Sequence, residues 1–99
     1  MATQEPNHYA TISIGNSDDK LSQYEWSCFT QEMDTLIRNA MKVHFFGGGS
    51  TWMPWQNVAW IVELDDLDLY AALKQQITRI RKKYNQEAAF LLEGPGQMI

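Results

Sequence analysis

Two apolar stripes at helical spacing constrain this chain more than any other feature. Trp26, Phe29, Met33, Leu36, Ile37 and Ala40 recur in helical steps, and so do Tyr70, Leu73, Ile77, Ile80 and Tyr84. That spacing gathers each set on one arc of a helix, and such an arc has to be buried against another element. The first stripe opens with Ser22 and Glu25, an S-x-x-E box in which each side chain satisfies the other residue's backbone N–H. Leu21 ahead of the cap and Trp26 inside the helix add a hydrophobic staple. These signals predict a helix over 22–41, with Cys28 on the side away from the stripe. The run Leu64-Asp65-Asp66-Leu67-Asp68 sets acidic residues at the start of the second stripe, and Arg79, Arg81, Lys82 and Lys83 close it. Both signs suit the helix dipole, predicting a second helix over roughly 66–85.

Between and around the stripes lie short stretches with strand character. Tyr9 to Gly15 alternates Ala10, Ile12 and Ile14 against Tyr9, Thr11 and Ser13, and the turn-forming Gly15-Asn16-Ser17-Asp18-Asp19 ends it. Val43 to Phe46 predicts a short strand, with Val43 and Phe45 on one face and His44 and Phe46 on the other. Asn57 to Leu64 carries Val58, Trp60, Val62 and Leu64 on one face and the apolar Ala59 and Ile61 on the other, which places it centrally. Ala88 to Glu93 reads as the last strand, stopped by Gly94-Pro95-Gly96.

The order β-α-β-β-α-β is the ferredoxin-like split arrangement, an α+β fold with a four-stranded antiparallel sheet and two helices on one face. The expected organisation is a single domain over residues 1–99, with 1–7 as a flexible N-terminal arm. The helices are expected to pack through Trp26, Phe29, Met33, Leu36, Leu73, Ile77 and Ile80. The opposite sheet face then has no helix to cover it. Its residues come from Tyr9, Thr11, His44, Phe46, Ala59, Ile61, Phe90 and Leu92, a set too apolar for water, which predicts a homo-oligomer through that face.

Charge and length narrow the partners. The net charge is −4 and the sequence pI about 4.9, which argues against duplex DNA, whose phosphates need a positive face. No apolar run approaches the roughly 20 residues that span a bilayer, so no membrane partner is expected. The segment Met1 to His8 lacks the basic and apolar regions of a secretory signal. With a single cysteine, Cys28, no internal disulfide forms. A cytoplasmic protein is the expectation, in the host cytoplasm if the chain is phage-encoded.

The candidate binding residues cluster in the segment expected to join the second and third strands. Gly47, Gly48 and Gly49 leave backbone N–H groups open to a ligand, Ser50 and Thr51 add hydroxyls, and Trp52 and Trp55 offer flat apolar surfaces around Pro54. No lysine precedes Ser50-Thr51, so this is no P-loop. The segment is read either as a flexible hairpin loop or as a cradle for an anion or a base-like ligand. Catalytic sets are thin. Two histidines, His8 and His44, and one cysteine make no zinc site, and no metal or other cofactor is expected. His44, inside a strand, is the one residue to test as an acid or base.

The progression Glu25-Trp26…Phe29, Phe46-Gly47…Gly49…Trp52, Trp60-Ile61-Val62 and Gln86-Glu87-Ala88 resembles a bacterial ferredoxin-like domain family of unknown function. Its pattern has an E-W-x-x-F helix, a G-x-G-x-W hairpin and a Q-E-A entry to the last strand. The resemblance implies the fold and carries no activity. The functional expectation is a non-catalytic, homo-oligomeric module that binds a small, nucleotide-like molecule at Gly47–Gly49, Ser50, Thr51, Trp52 and Trp55. Two alternatives stand beside it: a protein-binding inhibitor or adaptor, such as a phage-borne anti-defence protein, and a small isomerase- or oxygenase-type enzyme using His44.

Overall fold

The computed structural model describes residues 8–49, 56–97 and 99. Its elements run β1 (His8–Gly15), α1 (Gln23–Ala40), β2 (Val43–Gly49), β3 (Asn57–Glu63), α2 (Leu67–Lys83) and β4 (Phe90–Pro95). The four strands form one sheet in the order β2-β3-β1-β4. Every neighbouring pair is antiparallel. The ferredoxin-like arrangement expected from the element order is therefore present.

The helix starts follow from the side chains that cap them. Ser22 Oγ accepts from the Glu25 N–H at 3.1 Å while Glu25 Oε1 accepts from the Ser22 N–H at 3.0 Å, so the reciprocal box is complete. The Ser22 backbone N–H, and after it the Ser22 hydroxyl, favours the charged form of the Glu25 carboxyl and holds its pKa below the usual range. Asp66 Oδ1 caps α2 by accepting from the N–H groups of Asp68 and Leu69, both at 3.0 Å. Between β1 and α1 the chain turns tightly, with Asp18 and Asp19 at positive φ. The turn is fixed by the fully buried Asn16, whose side chain accepts from Leu21 N–H at 2.9 Å and donates to Leu21 C=O at 3.0 Å.

The core lies between the helices and one sheet face. Ala10, Ile12, Ile14, Trp60 and Val62 from the sheet meet Phe29, Met33, Ile37, Tyr70, Leu73, Ile77 and Ile80 from the helices. Leu36 is only partly buried and packs at the margin. Trp60 is fully buried, and its Nε1–H donates to Asp34 Oδ1 at 2.8 Å, which removes the cost of burying an unpaired indole N–H. The two helices are joined at one end by Tyr84. Its ring stacks on Phe29 with centroids 4.9 Å apart, and its hydroxyl donates to Glu32 Oε2 at 2.7 Å. Glu32 also accepts from Lys83 Nζ at 2.9 Å. The Tyr84 hydrogen bond, with Lys83 beside it, holds the Glu32 carboxyl below its usual range, while the same bond pushes the Tyr84 phenol up to about 12.

Two strands differ from the expectation. β2 does not end at Phe46 but continues through Gly47, Gly48 and Gly49, which pair with Ala59, Val58 and Asn57. It also carries a bulge between Val43 and Phe45, where Val43 faces Val62 and Phe45 faces the adjacent Ile61. The extra residue, His44, breaks the alternation. Val43 and Phe46 turn toward the helices, and His44 and Phe45 both point to the open face. Phe46, expected on the open face, instead packs on Trp60 with centroids 5.3 Å apart, with the Arg38 guanidinium 5.7 Å from its own centroid. β4 begins two residues later than expected and runs through Gly94 to Pro95; an edge strand tolerates a proline there.

Candidate functional site

Strand register sorts the open face into rows. Phe90, Ser13, Ala59 and Gly47 make one row, and Leu92, Thr11, Ile61 and Phe45 the next. Phe45, Phe90 and Leu92 are 51%, 59% and 61% exposed, though each is a side chain that elsewhere fills cores. A third row brings polar chemistry. Tyr9 on β1 faces Glu63 on β3, and His44 of β2, at the bulge, lies beside both. His44 Nε2 stands 3.3 Å from Glu63 Oε2, and Lys42 Nζ lies 4.0 Å from the same oxygen. The Tyr9 ring meets the His44 imidazole nearly edge-on, with centroids 5.5 Å apart.

Two of the three β2 glycines sit where a side chain would collide. A Cβ at Gly47 would come within 2.7 Å of the Phe45 ring, and one at Gly48 within 2.9 Å of the Asn57 carbonyl oxygen. No described glycine has positive φ. At Gly49, by contrast, nothing lies within 4 Å. The Gly47 and Gly48 backbones thus belong to the sheet ladder, where they had been expected to line a loop. Ser50, Thr51, Trp52 and Trp55 lie outside the described residues. What the structure does bring to the base of the hairpin is a hollow of about 270 Å³ bounded by Trp26, Gly49, Gln56 and Asn57. Gln56 is held there by a reciprocal amide pair with Gln23, at 2.9 and 3.1 Å, and its carbonyl accepts from the Asn16 N–H at 2.9 Å. Sequence reasoning missed Gln56 and Trp26 as wall residues: a lone glutamine carries no pattern, and Trp26 reads simply as core.

Several basic residues of α2 are engaged within the molecule. Lys83 reaches Glu32, Arg81 donates to the Gln86 carbonyl at 3.0 Å, and Lys74 lies 4.8 Å from the Tyr70 ring centroid. Among the described residues, no group of three or more His, Cys, Asp or Glu could hold a metal ion, and no helix is long and apolar enough to cross a membrane.

No protein-family model matches the chain, and no curated protein matches it. Solved structures do match in shape. A hydroxynitrile lyase from Passiflora edulis superposes with a TM-score of 0.63 at 12% identity, covering 96% of this chain and 98% of that one. A dimeric ferredoxin-like protein of unknown function from Thermobifida fusca gives 0.60 at 12% identity, covering 92% of each chain. The de novo designed protein Foldit4 gives 0.58 at 16% identity, covering 92% of this chain and 99% of that one. A lyase, a protein of unknown function and a design share this outline, so it is the fold that is common to them and no activity follows from it. The ferredoxin-like protein of unknown function fits the resemblance read from the motifs. By fold the chain is a small ferredoxin-like α+β domain.

Proposed function

We propose that the protein works as a homodimeric binding module, joined through the open face of its sheet. The carrying observation is the pair of rows holding Phe45, Phe90 and Leu92, all more than half exposed, with no helix over them among the described residues. A second copy is the occupant that fits. A sheet face can meet itself across a two-fold axis, and its polar groups, Glu63 and His44, lie at one end where a like-for-like contact keeps them out of the centre. The Thermobifida fusca neighbour is described as dimeric, which supports the same reading. Sedimentation velocity at micromolar concentration tests it. The wild type should run as a dimer, and Leu92→Glu as a monomer with an unchanged far-UV spectrum. A wild-type monomer would refute dimerisation.

A ligand-binding role at the hairpin draws support from the hollow beside Gly49. The site would combine that hollow with Gly47, Gly48, Ser50, Thr51, Trp52 and Trp55, and would take a small nucleotide-like molecule or a partner's loop. Native mass spectrometry of the protein as purified should show a bound small molecule. Trp52→Ala or Trp55→Ala should weaken its binding by about 1–3 kcal/mol, the range for one lost stacking platform. Gly48→Val is no clean test, because the new side chain would collide with β3; Gly49→Ala, which enters open space, is the better variant. If the wild type purifies without a small molecule, the hairpin has no such ligand.

A further inference from the structure

We propose that the hollow bounded by Tyr9, His44, Ile61, Gly96 and Gln97 is a second binding site, for a small planar molecule that donates a phenol-like O–H or N–H to His44. Three independent features converge on it. The first is the bulge in β2, which sets Phe45 beside His44 on the open face; strict alternation from Val43 would keep His44 there but turn Phe45 to the helices. Bulges commonly re-aim a side chain in this way next to a functional site.

The second is the orientation of the imidazole. The Glu63 carboxylate, 3.3 Å from Nε2, accepts from an Nε2–H. In the neutral ring this tautomer leaves Nδ1 as an acceptor, so the matching ligand group is a donor. The third is the wall. The Tyr9 ring is pinned between His44 and the backbone of Gly96, where a Cβ would come within 2.5 Å of it. A side chain at position 96 would displace that ring. Tyr9 and Ile61 give the hollow aromatic and aliphatic surface, and its volume is about 260 Å³. That exceeds the roughly 150 Å³ cavity that holds benzene, so one substituted ring fits.

Every lining residue belongs to one chain, so the proposal does not rest on the dimer. The site also lies apart from the hairpin hollow, sharing no residue with it. The experiment is a titration with para-nitrophenol, followed by its absorbance and by the imidazole ¹⁵N resonances of His44. Binding should saturate, and the Nδ1 resonance should move with it. His44→Phe, which keeps a ring but removes the acceptor, should weaken binding about tenfold, the worth of one hydrogen bond of about 1.4 kcal/mol. Glu63→Gln should weaken it less, since an amide still holds the ring. Binding that never saturates up to the solubility of the probe, or that is equally tight in His44→Phe, would overturn the proposal.

Discussion

The two faces of the sheet are built from similar residues and have opposite fates. On one, Ile12, Ile14, Trp60 and Val62 are almost wholly buried beneath α1 and α2; on the other, Phe45, Phe90 and Leu92 stay more than half exposed. Apolar composition does not separate them. What separates them is connectivity: both crossover helices pack on the same side. The covered face stabilises the protomer, and the open face is left free for the association and the His44 site proposed above. Mutations should therefore fall into two groups, one acting on the protomer's stability and the other on its self-association.

The largest effect is expected on the covered face. Phe29→Ala should cost about 3–5 kcal/mol and Leu73→Ala about 2–5 kcal/mol, because each deletes a fully packed side chain and leaves a cavity. Leu92→Ala, measured in dilute protein where no dimer forms, should stay within about 0.5 kcal/mol. Urea denaturation checks all three, and a Leu73→Ala loss as small as that of Leu92→Ala would erase the distinction between the faces.

A smaller effect should follow from Asp34→Ala. It strands the Trp60 indole N–H in the core and should cost about 1–3 kcal/mol. Trp60 fluorescence in the folded state offers a second readout of the same change.

The smallest effect concerns pH. The Glu32 carboxyl is held below its ordinary 4.5 by the Tyr84 hydroxyl and Lys83. Its contribution is therefore present above about pH 4.5 and lost as pH falls through its folded value. Tyr84, pushed up from 10.0 to about 12, gives the complementary edge: its contribution is present below about pH 10 and fades as pH rises through about 12. Glu32→Gln should flatten both edges of the stability profile. Profiles identical to the wild type at both ends would mean the Tyr84–Glu32 bond does not join the helices in solution.

Much of the covered face was legible in the sequence because helical spacing and caps are local signals. Ser22 with Glu25, the Trp26-to-Ile37 stripe and the Tyr70-to-Ile80 stripe each determine their own geometry. β2 was less legible. His44-Phe45-Phe46 offers three large side chains in a row, and alternation cannot show where a bulge falls among them. Partner packing decided it: Phe46 finds Trp60 and Arg38 on the helix side. The glycines misled for a related reason. Their local signal is a loop, yet pairing with β3 holds all three in the strand, and the Phe45 ring occupies the space that a side chain at 47 would need. Of the candidate site, His44 was visible as a lone titratable residue. Tyr9, Glu63 and Gly96 were not, because only strand register places them beside it.

The division of labour between the two faces is tested most directly by urea denaturation at two protein concentrations a hundredfold apart. Association of folded protomers stabilises by mass action, so the wild-type midpoint should rise with concentration. In Leu92→Glu, the midpoint should be the same at both concentrations, with the unfolding slope unchanged. A wild-type midpoint that does not move over that range would contradict the open face as an interface and leave the covered face alone in holding this fold.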